Sequence, residues 1–237
     1  MILSPDGEHL PERAASAQGP FAFAHAATIR PAGAAPLVDP EALRLPHDDY
    51  DLIVSIFDVQ VVNDVVGFLA RLRAHLRPDG LLLAALPGGG TLSELRQAFL
   101  EAETALTGSA TARVAPFIQL GEVGGLVQRA GLKLPVADVE SHVVRYDSMF
   151  DLALELKRLG ASNPLAERPA RPMTRGLLAA AAARYAHLAA DPDGRLRATL
   201  EIVWLSGWAA HTSQQKPLRP GTARVSLRDV LGDKSQH

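Results

Sequence analysis

The chain has 237 residues, 47% of them hydrophobic, enough to bury a sizeable core and too apolar for disorder to be the expected state. Its formal net charge of -2 gives no broad positive field for a phosphate backbone or anionic lipid, which argues against nucleic acid as a main partner. Cysteine is absent, so disulfide frameworks, thiolate metal sites and Cys nucleophiles are excluded together.

No apolar run reaches the ~18 residues of a membrane-spanning helix. Residues 1–19, rich in Pro, Gly, Ser and charge, read as a flexible lead-in, and Asp6, Glu8 and Glu12 do not suit a secretory or transit signal. The chain is therefore expected to be soluble and cytoplasmic, or to sit in the mitochondrial matrix if eukaryotic. Phe21 and Phe23 alternate with small residues in a strand signal over 20–29, which RPAGAAP breaks. Leu37, Val38 and Asp39 form a short strand ending in an acid. DYDLIVSIF then holds the continuous apolar run of a strand covered on both faces.

Asn63 or Asp64 is placed to cap a helix whose Val65, Leu69, Leu72 and Leu76 share one face, with Pro78 and Gly80 ending it. Leu81 to Leu86 make a second buried strand. Gly88 to Gly90 turn, and Thr91 with Glu94 reads as a capping box opening a helix through Leu95 and Phe99. This alternation is solved most economically by a parallel sheet with right-handed crossovers. GEVGGLVQRAG is a short helix stopped by Gly131, and LPVADVESHVVRY is a candidate strand pair. Residues 147–190 differ in kind: Leu152, Leu156 and Leu159 stripe one helix, and Leu177, Leu178, Ala181, Tyr185 and Leu188 another, as an all-helical insert. Asp193-Gly194 then turns the chain into a strand around Ile202 and Trp204, apolar on both faces. The expected organisation is a lead-in at 1–19, an α/β core at 20–146, a helical insert at 147–190, and a last strand and tail at 191–237 completing the core.

Several residues carry chemistry on one reading and structure on another. Gly88 to Gly90 ahead of a helix can cradle an anion through backbone amides or simply turn the chain, and they lack the Lys and Ser/Thr of a P-loop. Asp39 and Glu41 are ligand carboxylates or a solvated turn and helix cap. Asp58 reads as a surface carboxylate in preference to an acid or base beside a pocket. Trp208, His211, Gln214 and Gln215 follow a strand end, where long amide side chains close over a pocket or pin the tail to the sheet. The eight His are scattered, and no metal site is expected.

Three segments carry a family resemblance: VDPEAL followed by DLIVS, then VND with LRAHLRPDGLLLAALPGGGTLSELRQAF, and finally LELKRLGASN, the DGR turn and GWAAHTSQQKPLRPGTA. Together, over about residues 36–231, they resemble the complex I assembly factor 5 family. That branch of class I methyltransferase-like proteins is similar to the malonyl carrier-protein methyltransferase of biotin synthesis. The resemblance implies an α/β, Rossmann-like class I methyltransferase sheet, N-terminally reduced, with a helical insert before the last strand.

It also implies a role on a protein substrate or subunit in respiratory complex I assembly, by methyl transfer or arginine hydroxylation, with S-adenosylmethionine as cofactor. Such folds hold that cofactor at the carboxyl ends of the parallel strands. The cofactor residues that carry over are Asp39, Glu41, Ser55 and Phe57, with the Asp39 carboxylate offered to the adenine amine. Asn163, in a segment similar to the family's G-x-x-N, is placed at a substrate entrance with Trp208, Gln214 and Gln215, or acts as a helix cap. No catalytic residue is assigned, because methyl transfer is chiefly a proximity effect.

Ahead of Asp39 the glycines Gly7, Gly19 and Gly33 stand apart, in no G-x-G loop. Two alternatives therefore stand beside the enzyme: a non-catalytic assembly module on the same fold, and a chain whose Gly-rich segment lies upstream. A reduced sheet should expose an edge, to be covered by residues 20–29 or by a homo- or hetero-oligomeric partner. The FAFAHAATI alternation predicts that 20–29 pair directly with 51–55.

Overall fold

The structure, a computed structural model, describes residues 2–3, 26–27, 39–166, 168–169 and 172–215. The lead-in beyond Ile2–Leu3, the Leu37-Val38 strand and the tail from 216 onward lie outside the described residues. The described strands are β1 (Ile2–Leu3), β2 (Ala26–Ala27), β3 (Tyr50–Ile56), β4 (Leu76–Pro87), β5 (Lys133–Tyr146) and β6 (Leu196–Trp208). The helices are α1 (Val65–Ala74), α2 (Ser93–Thr107), α3 (Leu120–Arg129), α4 (Met149–Arg158) and α5 (Arg175–Ala189). One sheet runs in the order β2-β1-β3-β4-β6-β5. Strands β1 to β4 are parallel to one another, while β6 runs antiparallel to both β4 and β5.

The pairing expected of residues 20–29 is corrected. Ile2 and Leu3 stand beside Val54 and Ser55, and Ala26 and Ala27 pair with Ile2 and Leu3 instead of with β3. A short apolar dipeptide from the segment read as lead-in thus fills the slot next to β3, and 26–27 are displaced one strand outward.

Strand β3 alternates its side chains as a pleated strand must, with Ile53 and Ser55 fully buried. Asp64 caps α1 by accepting the Gly67 N–H at 2.8 Å, and Phe68, Leu69 and Leu72 face the sheet. The helix stops at Ala74, before Pro78. Leu76 is already the first residue of β4, paired with Tyr50, and a register shift before the Leu52–Leu81 pair absorbs Arg77 to Gly80. Burying Leu76 therefore takes precedence over extending the helix.

The capping box expected at Thr91 and Glu94 does not form. The Thr91 hydroxyl donates to the Glu201 carbonyl at 2.8 Å and accepts the Glu201 N–H at 3.0 Å, while Glu94 accepts the Thr199 N–H and hydroxyl. Both side chains tie the helix entrance to β6, which offers stronger partners than the local turn. Helix α3 ends at Gly131, whose φ of +84° is the left-handed geometry that favours glycine. LPVADVESHVVRY forms one long strand and not a pair, with no Gly, Asn or second Pro after Pro135 to turn it.

Two apolar cores result. The first lies on one sheet face, where Leu82, Leu86, Val203 and Leu205 meet Phe68 and Leu72 of α1 and Val123 and Val127 of α3. The second joins Leu95, Ala98, Phe99 and Ala102 of α2 to Met149 and Leu152 of α4, Leu177, Ala181 and Tyr185 of α5, and Leu196 and Ala198 of β6. The Leu177, Ala181, Tyr185 stripe is the buried one, and the Tyr185 hydroxyl donates to the Arg197 carbonyl at 2.7 Å. Leu159 leaves its expected stripe: it caps α4 and is exposed.

Candidate cofactor and substrate site

The carboxyl ends of β1, β3 and β4 point the same way, and β5, antiparallel to β6, points with them. Helices α4 and α5 follow β5 at that end, so the insert stands beside the strand termini where an open α/β sheet places its ligands. Leu3 ends β1 directly opposite Ser55.

Ser55 is fully buried, and its hydroxyl donates to Asp58 Oδ2 at 2.9 Å. Asp58 itself has no exposed surface, which corrects its reading as a surface carboxylate. The chain turns sharply between them: Phe57 adopts a φ of +53°, costly for a bulky residue, and is held by its N–H donating to the Ala85 carbonyl at 2.8 Å. Gln60 donates its side-chain amide back to the Phe57 carbonyl. The strained turn, fixed from two sides, stands at a strand's carboxyl end, the place where open α/β sheets hold ligands. Asp58 carried no signal in sequence beyond its nearness to a buried strand.

Asp39 and Glu41 are used locally. Asp39 accepts the Glu41 N–H at 2.9 Å as cap of the short turn Pro40–Ala42. Glu41 accepts the N–H groups of Asn63 and Asp64 at 3.0 and 3.2 Å and meets Arg71 at 3.5 Å. It thereby fastens the segment before β3 to the loop after it. Both carboxylates are exposed or nearly so and keep acceptor capacity.

The Gly88 to Gly90 cradle is filled by the chain's own anion. Gly88 N–H donates to the Glu201 carbonyl at 2.8 Å and Gly90 N–H to Glu201 Oε1 at 3.2 Å. A Cβ at Gly88 would stand 2.2 Å from Glu201 Oε1, and one at Gly90 2.6 Å from Oε2, so any larger residue here must push the Glu201 carboxylate off the loop. Glu201 was missed in sequence, because nothing local marks a strand glutamate as the partner of a loop 111 residues away.

Asn163 lies in the loop between α4 and α5. Its side-chain N–H groups donate to the Ala112 and Arg113 carbonyls at 2.7 and 3.2 Å, and its Oδ1 accepts the Leu165 N–H at 3.1 Å. It clamps the insert to the loop after α2. That loop is itself held by Glu103, which binds Arg113 at 2.5 Å and accepts the Thr111 N–H and hydroxyl at 2.8 Å each. The Arg113 hydrogen bond, joined by those from Thr111, outweighs burial and holds the Glu103 carboxyl down at about 2.

Trp208, Gln214 and Gln215 are not brought to this end. Trp208 pairs with Leu81 at the amino end of β4, and Gln214 donates to Asp79 Oδ1 at 2.9 Å and the Ala209 carbonyl at 2.7 Å. Gln215 is exposed nearby in sequence. Ser55 is level with Ala84, three residues or about 10 Å up the strand from Leu81, and Gln214 binds still further down at Asp79, so these residues fasten the tail toward the amino end of β4 and away from Ser55 and Phe57. Among the described residues no cluster of His, Asp and Glu could hold a metal ion, and no helix is long and apolar enough to cross a membrane.

No model of a known protein family matches the chain. It is 37% identical over 194 residues to the mitochondrial arginine-hydroxylase NDUFAF5 of Rattus norvegicus, a match covering 82% of this chain and 56% of that protein. The chain resembles the NDUFAF5 proteins. It is also 35% identical over 175 residues to the malonyl-[acyl-carrier protein] O-methyltransferase of Xylella fastidiosa, covering 73% of this chain and 57% of that protein. Among solved structures, a protein from Bacillus halodurans described as a candidate methyltransferase matches with a TM-score of 0.53 at 11% identity, over 89% of this chain and 90% of that one. The fold is therefore the class I methyltransferase fold, as the resemblance implied. The chain spans a little over half the length of the NDUFAF5 and carrier-protein methyltransferase relatives.

Proposed function

We propose that the chain is an S-adenosylmethionine-dependent, methyltransferase-like protein that acts on a protein substrate during assembly of respiratory complex I, by methyl transfer or by arginine hydroxylation. The observation that carries this reading is the coincidence of two facts. The similarity to NDUFAF5 runs over four fifths of the chain, and the carboxyl end of β3 is built with a strained Phe57 and a buried Ser55–Asp58 pair. The name of those relatives supports a mitochondrial compartment if the source is eukaryotic, which we take to be the matrix, and we assign the cytoplasm otherwise.

The chemistry at this end suits the adenine half of the cofactor. An exocyclic amine needs an acceptor, and Asp39 offers carboxylate capacity, while the turn at Phe57 presents backbone and ring beside Ser55. When bound, the cofactor supplies the activated methyl group; the chain's own task is to hold donor and acceptor in line and exclude water. Glu41 positions the segment bearing Asp39, and Asn163 positions the insert beside the substrate's approach. Trp208, Gln214 and Gln215 are assigned to holding the tail. The cofactor-free assembly module is the less supported reading.

The test is to incubate the full chain and methyl-labelled S-adenosylmethionine with complex I assembly intermediates and to read the products by mass. A gain of one methylene on a subunit supports methyl transfer, and a gain of one oxygen on arginine, for which dioxygen and a two-electron reductant are supplied in the mixture besides the cofactor, supports hydroxylation. Subunits left unmodified by a folded chain would overturn the proposal.

A further inference from the structure

Strand β5 is an outer strand of the sheet, 14 residues long and paired only with β6 among the described strands. Which of its backbone groups face outward follows from the neighbouring ladder. On β6 the odd-numbered residues serve β4 and its extension: Glu201 O accepts from Gly88, Thr199 O from Leu92, and Ala209 donates to Gly80, each at 2.8 Å. Backbone groups alternate sides along a strand, so the even residues of β6 face β5. Their partners are Asp138, Glu140, His142 and Val144. The odd residues Val139, Ser141 and Val143 therefore turn their N–H and C=O groups outward. An independent observation agrees, because the Val139 N–H is taken by the carboxylate of its neighbour Asp138 at 2.8 Å.

The outward segment reads Val139-Glu140-Ser141-His142-Val143, which is complementary to itself when reversed about Ser141. Val139 then meets Val143 and Glu140 meets His142, each twice. Val139 is 39% exposed and Val143 57% exposed, so apolar surface lies on the same edge as the outward backbone groups, which have no strand partner among the described residues. From residue 136 to 144 the strand carries no Lys, Pro or Gly, the residues that commonly blunt an edge.

We propose that β5 is a self-association edge, through which two copies of this chain pair antiparallel with Ser141 on the two-fold axis. In that register 139 with 143, 141 with 141, and 143 with 139 are hydrogen-bonded pairs, and the Val139 N–H exchanges the Asp138 carboxylate for a carbonyl of the other strand. Glu140 and the partner's His142 fall in the closer, non-hydrogen-bonded positions, where the carboxylate can accept an imidazole N–H. Glu140 already lies 3.6 Å from His142 of its own chain, so pairing gathers two acids and two imidazoles at the axis. The two sheets become one continuous sheet, in which the exposed Val136 comes opposite the partner's Tyr146 and extends the apolar contact. The isologous geometry closes at two copies.

Sedimentation equilibrium of the full chain over a wide concentration range tests this. The wild type is expected to show a monomer–dimer equilibrium, and the Val139→Lys, Val143→Lys double variant to remain monomeric. Should that variant fail to fold, Ser141→Pro removes only one outward N–H, leaves the β6 ladder intact, and is expected to give the same monomer. Glu140→Lys and His142→Glu should each weaken self-association roughly tenfold, since each places two like-charged or unmatched pairs at the axis. Mixing those two variants should restore dimers, because the exchanged charges then face each other. A wild type that stays monomeric throughout, a dimer that survives the double Lys and Ser141→Pro changes, or a mixture that fails to associate would overturn the proposal.

Discussion

Replacing Glu103 by Gln keeps the shape of the side chain and removes its charge, which isolates what the buried ion pair with Arg113 contributes. The carboxylate is 8% exposed and Arg113 15%, and the pair is joined by two further hydrogen bonds from Thr111. Holding the carboxyl at about 2, down from 4.5, corresponds to a ceiling of about 3 kcal/mol at ~1.36 kcal/mol per unit. Solvent reaching the rim of the loop lowers the expected loss to roughly 1–3 kcal/mol at neutral pH. Because the folded state depresses this pKa, the stabilisation is complete above the ordinary carboxyl pKa and is lost as pH falls through the folded value. Urea unfolding of wild type and Glu103→Gln at several pH values should thus show a gap that is constant from pH ~7 down to ~5. It should shrink by about half near pH ~3. A gap below ~0.5 kcal/mol at neutral pH, or one that does not change with acid, would refute the reasoning. The consequence for the site is direct, since the loop so anchored supplies both carbonyls that Asn163 grips.

The remaining predictions concern the scaffold around the site. Gly88→Ala drives a methyl into Glu201 and should cost about 1–3 kcal/mol by thermal or urea unfolding, and much of that cost should vanish in a Glu201→Ala background. Tyr185→Phe leaves the Arg197 carbonyl without its buried donor and should cost about 1 kcal/mol in the same assay, with little change in shape. Asp64→Ala removes the cap of α1 and should cost about 1 kcal/mol, whereas Asp64→Asn should cost less than half of that.

The fold was legible where local pattern and tertiary demand agreed. The buried run in β3, the α1 stripe through Leu69 and Leu72, the Gly131 stop and the Leu177-Ala181-Tyr185 stripe all follow from periodicity and turn chemistry that the core then uses. Two of the failures share one cause, partners far away in sequence. Thr91 and Glu94 have the spacing of a capping box but bond to Thr199 and Glu201 of β6, and the Gly88 to Gly90 amides are met by a glutamate more than a hundred residues on. Residues 2–3 took the place expected for 20–29 because two apolar residues suffice to pair with Val54 and Ser55, a match too short to register as a strand in sequence. At the candidate site Ser55 and Phe57 could be placed from the end of the strand. Asp58 could not, since its burial depends on the strained turn that brings it back to Ser55.

The most direct measurement is a calorimetric titration of S-adenosylmethionine into the purified full chain, with S-adenosylhomocysteine as the matched ligand. The account predicts saturable binding of both, weakened when Ser55 is replaced by a bulky residue that leaves cooperative unfolding intact. A chain that unfolds cooperatively yet takes up neither ligand would contradict it.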